Sequence, residues 1–330
     1  MQSSGQSQPG TPLAQLETPL AQLEVHLAQP GTHLLTYYEH GTWQESDLNI
    51  GIIYQVAWSP DGTRIASYGN DGGFGEKGST LQIWDASTGE QFFCYRNENL
   101  SGVTWSPDGL QIAIDSYYGT QIRDLNGKEL TFSPHKYSGW FPDGRGLIKG
   151  HIEYDNLSKE RRSRLSYLRP HWSPDNRRLA IVDNKQVEIW NLRGNRSVRY
   201  QGHGEIGDLS WSPDGTEIAT AETSEGNETE ICVWESATGK LKLMYTGHGP
   251  CPRGLLAVAW SPDGKRIASG GDGLSQDKHL HLWDAQTGVY LYAYRGHEPG
   301  TPVNTISWSP DGTRIVSGGT NAQVWYANAE

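Results

Sequence analysis

The chain has 330 residues and a formal net charge of -11, and it contains 40 Gly, 13 Trp and 16 Tyr but only 2 Met and 5 Phe. This aromatic content excludes a disordered chain, and the glycines disfavour a helical bundle because Gly is costly inside helices. No apolar run reaches the length of about 18 residues that crosses a membrane, and Met1–Gln6 shows no secretory signal, so we expect a cytoplasmic protein without a membrane partner.

The first 32 residues are expected to form a flexible N-terminal tail. The heptapeptide Thr11–Glu17 is repeated at once by Thr18–Glu24, and the leucines follow a heptad spacing. Pro19 would interrupt a continuous helix. Two interpretations remain open: a disordered tail that arose by duplication, or a short helix that binds a partner. Residues 33–330 are expected to form one folded domain.

A five-residue motif with Trp recurs along the rest of the chain. The first copy is Trp58-Ser59-Pro60-Asp61-Gly62, and the other copies begin at Trp105, Trp140, Trp172, Trp211, Trp260 and Trp308. Their spacing averages about 42 residues, which matches one four-stranded propeller blade. Pro, Asp and Gly in this order favour a type I turn between two strands.

Each copy carries signals for four strands. The first strand ends at the motif Trp, the second resembles Arg64–Ser67, the third ends in an aromatic–acid pair such as Trp84-Asp85, and the fourth ends at Gly-His. In the second and third copies, Arg123 and Tyr154 stand where the third-strand Trp would be. The pattern predicts seven blades, of which these two are degenerate.

The Gly-His, Trp-Ser-Pro-Asp-Gly and Trp-Asp elements together resemble the WD40-repeat family of β-propellers, in particular the regular repeats of bacterial members. The similarity covers roughly residues 33–327. It implies an all-β, seven-bladed propeller with four antiparallel strands in each blade. It also implies a non-enzymatic scaffold or adaptor that binds proteins through a loop face and the outer surface.

The last blade lacks a strand, because the seventh copy stops after its third strand at Trp325. Residues 33–39 resemble the fourth strands of other copies, such as residues 290–294. We expect residues 33–39 to pair into the last blade, which would close the ring and leave no open strand edge.

The resemblance further implies a buried network of Trp, Ser or Thr, His and Asp inside a blade. In the sixth copy the matching residues are His248, Ser269, Asp277 and Trp283. In the fifth copy they are His203, Thr220 and Trp234, with Glu228 at the acid position. Because the set recurs with the blade, we interpret it as structural and not as a catalytic dyad.

Sequence patterns for chemistry are weak. Gly73–Gly78 matches a dinucleotide fingerprint but joins two strands, whereas that fingerprint requires a following helix. His279 and His281 share one strand face, and Cys232 has no partner at zinc-like spacing. The residue before each motif Trp is small in six copies, with His171 as the exception. We therefore predict no catalytic residue, no metal and no cofactor.

Charge is distributed unevenly along the chain. Residues 128–199 carry 15 Lys/Arg and 8 Asp/Glu, a net +7, while the rest of the chain carries -18. This basic sector includes Arg161, Arg162 and Arg164. It either keeps outer strands soluble or docks an acidic segment of a protein partner, with nucleic acid as the less favoured ligand.

Aromatic residues in loops are further candidates for protein contact, because aromatic side chains are frequent binding hot spots. Trp43 is the one Trp outside the repeated positions. The other candidates are Phe74, Tyr117, Tyr118 and Tyr137. Each of these side chains either contacts a partner or packs beneath its own loop.

A monomeric, non-enzymatic scaffold for protein partners is thus the expected function. One alternative is a regulatory or sensor subunit that works with a separate kinase, protease or NTPase. Another is a propeller-type enzyme or small-ligand binder, TolB-like or hydrolase-like, which converging polar side chains or a bound metal would favour.

Overall fold

The structure is a computed structural model that describes residues 32–37, 51–70, 79–97, 100–134, 137–140, 147–149, 170–191, 196–251, 254–271, 280–298 and 300–327. This part of the chain consists of strands, turns and short connections and contains no helix, hence none that could cross a membrane. The strands, in chain order, are β1 (His33–Tyr37), β2 (Ile52–Trp58), β3 (Arg64–Asn70), β4 (Ser79–Asp85), β5 (Gln91–Asn97), β6 (Leu100–Trp105), β7 (Gln111–Ser116), β8 (Gly119–Asp124), β9 (Glu129–Ser133), β10 (Tyr137–Trp140), β11 (Leu147–Lys149), β12 (Pro170–Trp172), β13 (Arg178–Asp183), β14 (Gln186–Asn191), β15 (Arg196–Gln201), β16 (Glu205–Trp211), β17 (Glu217–Thr223), β18 (Thr229–Glu235), β19 (Leu241–Tyr245), β20 (Leu255–Trp260), β21 (Arg266–Gly271), β22 (Leu280–Asp284), β23 (Tyr290–Tyr294), β24 (Thr305–Trp308), β25 (Arg314–Gly318) and β26 (Ala322–Tyr326).

The described residues form six antiparallel four-stranded sheets, called blades A to F, which follow one another around a ring. Blade A is β2–β5, blade B is β6–β9, blade C is β12–β15, blade D is β16–β19, blade E is β20–β23, and blade F is β24–β26 with β1. The first strand of each blade lies innermost and contacts the next blade. The ring closes where β2 of blade A contacts β24 and β25 of blade F.

The prediction of seven four-stranded blades is wrong, because the described residues form six such blades. The third motif copy forms a two-stranded sheet, β10–β11. Strand β10 contacts both β6 and β12, so this sheet lies between blades B and C. The Trp140 indole N–H donates to the Thr104 carbonyl at 3.4 Å, and Asn176 Nδ2 donates to the Trp140 carbonyl at 3.0 Å. Tyr154 lies outside the described residues.

Among the described residues, the third copy also departs from the others in an aromatic pair between blades. Elsewhere a Tyr near the end of one fourth strand stacks on the third-strand Trp of the next blade, with centroids 4.5–5.0 Å apart in Tyr37–Trp84, Tyr200–Trp234, Tyr245–Trp283 and Tyr294–Trp325. Blade B holds Ser133 at this register position, opposite Thr120. The segment after β11 contains no Trp, and five of the six residues 159–164 are charged. The third copy therefore has neither a Tyr offered by the preceding blade nor a Trp at its own third-strand position.

Blade B is complete although its third strand also lacks the Trp. Arg123 stands at that position, and its guanidinium carbon lies 4.2 Å from the centroid of the Tyr95 ring. Arg123 Nη1 also donates to the Gly127 carbonyl at 2.6 Å. Since a guanidinium plane stacks favourably on an aromatic ring, Arg123 replaces the indole in the contact with blade A.

The first strand of the chain completes the last blade, which confirms the predicted pairing. Strand β1 runs antiparallel to β26, with Tyr37 opposite Ala322. The Tyr37 ring stacks on Trp84 of blade A, and its hydroxyl donates to Gln82 Oε1 at 2.5 Å and Gln91 Oε1 at 3.1 Å. Strand β1 thus joins blade F to blade A at the closure of the ring.

The motif Trp residues link neighbouring copies around the channel. In five of the seven copies the indole N–H donates to the carbonyl of the residue before the Trp of the preceding copy, at 2.9–3.4 Å for Trp58, Trp105, Trp140, Trp211 and Trp308. Arg314 adds a second link. Its guanidinium carbon lies 4.6 Å from the centroid of the Trp58 ring, and its Nη2 donates to the Gly62 carbonyl at 2.9 Å. The recurring motif therefore stabilises contacts between blades as well as the local turn.

Candidate functional site

The sixth-copy residues meet in the interior of blade E. His248 Nε2 lies 2.6 Å from Ser269 Oγ, and the Trp283 indole N–H donates to the same oxygen at 3.3 Å. All three side chains are buried. Asp277 lies outside the described residues. The hydroxyl of Ser269 thus connects a His from one strand end to the stacked Trp, and the arrangement repeats in part in blade F, where His297 Nε2 lies 2.7 Å from Ser317 Oγ.

The buried His297 of blade F makes the free energy of unfolding depend on pH. Burial, reinforced by the nearby His33 charge, lowers the pKa of His297 from 6.5 to about 4. The folded protein therefore keeps this imidazole neutral, whereas the unfolded chain binds a proton below pH 6.5, and falling pH favours unfolding until the folded pKa is reached. We expect the free energy of unfolding to fall by about 2 kcal/mol more in the wild type than in His297→Gln between pH 7 and pH 5.

Urea titrations of both proteins at the two pH values measure this difference. The native carboxylates contribute little in that window, because their ordinary pKa lies near 4. Equal pH dependence in the two proteins would show that His297 is not held neutral by the fold.

The fifth-copy residues are arranged differently in blade D. The Thr220 hydroxyl donates to Glu222 Oε1 at 2.6 Å, and the Glu222 carboxylate also accepts the backbone N–H of His203 at 2.7 Å. The His203 ring is about half exposed and its Nδ1 lies 2.8 Å from Glu230 Oε2. Trp234 is fully buried beneath Tyr200, and its indole N–H has no hydrogen-bond partner in the described structure. Blade D therefore brings Thr220 and Trp234 into its interior but turns His203 outward.

Glu222 was missed by sequence reasoning, which assigned the acid position to Glu228. Glu228 is exposed, whereas Glu222 is only 1% exposed and also accepts the Tyr200 hydroxyl at 3.0 Å. The available signal was positional: two residues after the Ser or Thr of the network, the other copies hold glycine, at Gly69, Gly271 and Gly319. Glu222 thus stands where three other blades have glycine, which indicates that the interior of blade D holds an additional carboxylate.

The environment of Cys232 in blade D is polar on one side. Burial, followed by the Glu222 charge, raises the pKa of the Cys232 thiol, and burial raises the pKa of Tyr200 in the same way. The hydrogen bond to Glu230 instead raises the pKa of His203. This cluster combines a thiol, an imidazole and two carboxylates at the boundary between blades C and D.

Polar side chains of the channel wall are engaged in contacts between inner strands. Gln55 Oε1 accepts the Val103 N–H at 3.1 Å, and Asp208 Oδ2 accepts the Val258 N–H at 2.9 Å. The structure also brings His171 Nε2 within 3.9 Å of Asp208 Oδ1, a pair that the sequence reasoning did not connect. The two residues come from adjacent copies, one and three positions before their motif Trp.

A pair of tyrosines projects from the turn between the second and third strands of blade B. Tyr117 and Tyr118 are 76% and 64% exposed, and their rings meet edge to face with centroids 5.5 Å apart. The Ser116 hydroxyl fixes the turn by donating to the Gly119 carbonyl at 3.0 Å. Gly119 has a φ of 137°, and a Cβ there would overlap the Ser133 carbonyl oxygen. The backbone thus holds two large aromatic side chains in solvent.

Strand order places this turn at a defined end of the ring. In an antiparallel blade, the turns between second and third strands lie at the same end as the connections between blades. We call this end the 2–3 face. It also carries Lys185 of blade C, whose Nζ lies 3.1 Å from Glu225 Oε1 of blade D.

The remaining candidate residues cannot be placed on this face. Tyr137 lies in β10, but its side chain is not described. The other candidates lie outside the described residues: Trp43, Phe74, Arg161, Arg162 and Arg164. Of the aromatic candidates, Tyr117 and Tyr118 are thus the two whose exposure the structure gives.

Comparisons with known proteins agree with the repeated motif. Protein HIR1 of Candida albicans is 25% identical over 211 residues, which is 62% of this chain and 20% of that protein. The WD repeat-containing protein 26 homolog of Arabidopsis thaliana is 22% identical, over 59% of this chain and 36% of the relative. The WD repeat-containing protein WDS homolog of the same plant is 23% identical, over 58% and 40%.

The chain thus spans only a fifth to two fifths of the length of these relatives. The relatives come from a yeast and a plant, so the expected likeness to bacterial repeats stays a prediction. The family model described as "WD domain, G-beta repeat" matches residues 32–85, 194–235, 239–284 and 288–325, just over half of the chain. The unmatched part includes blade B and the two-stranded sheet, where the motif is most altered. The chain belongs to the WD40 repeat family.

Proposed function

We propose that this protein is a non-enzymatic scaffold that binds a protein partner through its 2–3 face. Membership of the WD40 repeat family supports the scaffold role, because such propellers present loops on a rigid ring. The channel wall supports the lack of catalysis, because side-chain oxygens of Gln55 and Asp208 accept hydrogen bonds from backbone N–H groups of neighbouring inner strands.

The observation that carries the proposal is the exposure of Tyr117 and Tyr118. Large aromatic side chains on a fixed turn offer much apolar area at a small cost in conformational entropy, and each hydroxyl can bond to a partner. Their turn is held by Ser116 and Gly119, so binding would require little ordering of the backbone.

Replacing both tyrosines is expected to weaken partner binding without weakening the fold. For Tyr117→Ala with Tyr118→Ala, we expect the dissociation constant of the captured partner to rise by roughly 30-fold or more, as for a binding hot spot. The free energy of unfolding should change by less than about 0.5 kcal/mol, because both rings are exposed. Affinity capture from the native cell, followed by titration of the purified partner, measures both effects.

The matched control is Phe132→Ala, which removes an aromatic ring of 47% exposure from the outer strand β9 of the same blade. It should leave binding unchanged. If the tyrosine variant and the control bind the partner equally well, the 2–3 face of blade B is not the binding surface.

The partner is proposed to carry an acidic segment, because residues 128–199 have a net charge of +7 in a chain of -11. The same assay with Arg161, Arg162 and Arg164 replaced by Glu tests this chemistry. Weaker binding and a loss of salt dependence support an acidic partner. Unchanged binding at low and high salt contradicts it, and binding to nucleic acid in place of protein would reassign the sector.

A further inference from the structure

Three side chains of metal-binding type converge at the boundary between blades C and D, beside the 2–3 face. They are His203, Glu230 and Cys232, and one ligand atom of each lies within 4.8 Å of the others. His203 Nδ1 is 2.8 Å from Glu230 Oε2, and Cys232 Sγ is 4.0 Å from the same oxygen. Glu230 and Cys232 are two residues apart in β18, so their side chains lie on the same face of the strand.

Cys232 departs from the repeat at this position. It pairs in register with Thr220 of the network. The corresponding third-strand residues of blades A and F are Gln82, opposite Ser67, and Gln323, opposite Ser317. In those blades the glutamine accepts a Tyr hydroxyl from the preceding blade. In blade D a thiol replaces the amide, and the Tyr200 hydroxyl donates to Glu222 instead.

His203 departs from the repeat as well. Its counterparts His248 and His297 are buried against a Ser hydroxyl. In blade D the Glu222 carboxylate already accepts the Thr220 hydroxyl and the His203 backbone N–H, and the imidazole faces Glu230. Three changes in one blade, Glu222, Cys232 and the outward His203, thus create a cluster that the other described blades do not contain.

We propose that His203 Nδ1, Glu230 Oε2 and Cys232 Sγ bind one Zn²⁺ ion. An imidazole, a carboxylate and a thiolate are the three ligand types that zinc uses in proteins. Tetrahedral bonds of about 2.0–2.3 Å place ligand atoms roughly 3.3–3.8 Å apart, and the observed separations of 2.8 and 4.0 Å bracket that range. The third pair, His203 Nδ1 and Cys232 Sγ, lies within 4.8 Å, so binding requires shifts of about one ångström, mainly of the two longer side chains.

The site would keep one coordination position open to solvent. Cys232 is fully buried, the Glu230 side chain is 19% exposed and the His203 side chain is 48% exposed, so the cluster opens on the imidazole side. Water would supply the fourth ligand there. The thiol proton leaves to solvent when the sulfur binds the metal, so binding releases a proton. Glu222 accepts the backbone N–H of His203 and so fixes the main chain from which the imidazole projects toward Glu230.

An ion pair between His203 and Glu230 is the competing explanation, and it does not involve the thiol. The decisive variant is therefore Cys232→Gln, which replaces the thiol by the residue found at this position in blades A and F. His203→Ala is a second variant that removes a half-exposed ligand and spares the core. Cys94→Ser, at an exposed cysteine of blade A, is the control for adventitious thiol binding.

The test is equilibrium dialysis of the full chain against Zn²⁺, with circular dichroism as the check on folding. We expect about one Zn²⁺ per wild-type or Cys94→Ser chain, and a rise in the dissociation constant of roughly 100-fold or more in Cys232→Gln and His203→Ala. Co²⁺ in place of Zn²⁺ should give a thiolate-to-cobalt charge-transfer band in wild type and Cys94→Ser that Cys232→Gln abolishes. Added Zn²⁺ should raise the melting temperature of the wild type and not of Cys232→Gln.

Equal Zn²⁺ binding by the wild type and a folded Cys232→Gln would overturn the proposal, as would Co²⁺ binding without a thiolate band. No stoichiometric metal in the wild type would leave the ion pair as the whole function of His203 and Glu230. If Cys232→Gln does not fold, undiminished binding by His203→Ala is the contradicting result.

Discussion

Deletion of β1 is expected to open the ring and cause self-association. Without residues 32–37, β26 loses its antiparallel partner and presents an unpaired edge, which is a template for pairing with another chain. In blade A, Trp84 also loses the stacked Tyr37 ring, and Gln82 loses the hydrogen bond from the Tyr37 hydroxyl. We expect the apparent free energy of unfolding to fall by at least about 4 kcal/mol, since a large buried aromatic alone contributes 3–5 kcal/mol. Thermal melts and light scattering after size exclusion measure both effects.

A truncation of residues 1–31, which retains β1, is the matched control and should melt and elute like the full chain. Tyr37→Leu preserves the strand pairing but removes the stacking and the hydroxyl, so it should be intermediate in stability and remain monodisperse. An unchanged melting temperature and elution volume after removal of residues 32–37 would contradict the closure of the ring by β1.

Trp283→Ala should destabilise blade E by about 3–5 kcal/mol. The indole is fully buried, stacks on Tyr245 with centroids 5.0 Å apart, and donates to Ser269 Oγ. Its removal leaves a cavity between blades D and E that neither sheet can fill by a small movement, because both sheets are fixed by strand pairing. Urea-induced unfolding followed by fluorescence and circular dichroism measures the loss.

Two companion variants separate packing from the hydrogen bond. Trp283→Phe retains most of the ring stacking and loses the N–H donor, so it should cost about 1–2 kcal/mol. Leu291→Ala, at a side chain of 47% exposure in the same blade, should change stability by less than about 0.5 kcal/mol. A cost below about 1 kcal/mol for Trp283→Ala would show that the stacked pair does not hold the two blades together.

Local turn chemistry explains what could be predicted from the sequence. Ser59 Oγ donates to Asp61 Oδ1 and accepts the Arg64 N–H, while Gly62 adopts a φ of 70°, so the motif specifies its own turn. The strand signals on either side are equally local. The pairing of β1 with β26 could be predicted because it follows from counting strands in the last copy.

The third copy, for which the prediction of a four-stranded blade is wrong, differs from the others in the residues available for packing between blades. In four of the six described blades the third-strand Trp stacks on a Tyr of the preceding blade, and blade B offers Ser133 at that register position. Blade B is the converse case. Its third strand lacks the Trp, but Arg123 at that position stacks on Tyr95 of the preceding blade, and the blade has all four strands. Both contacts involve residues of two neighbouring blades, so the sequence of one copy does not reveal them.

The candidate sites show the same limit. The sequence interpretation treated His203 as an equivalent of His248 and set Cys232 aside, because Cys232 has no partner at zinc-like spacing. The fold joins them through Glu222, which occupies the interior position and leaves the imidazole outside. The exposure of Tyr117 and Tyr118 likewise depends on how the turn ends at Gly119, which residue type alone does not determine.

Site-specific photo-crosslinking in the native cell tests the proposed binding face most directly. A photoreactive phenylalanine analogue would replace Tyr118 on the 2–3 face or, in a separate protein, Phe132 on the outer strand of the same blade. We predict a defined protein adduct from position 118 that is absent from position 132. Adducts from position 132 with none from position 118, or none from either position, would contradict a scaffold that binds its partner through the 2–3 face of blade B.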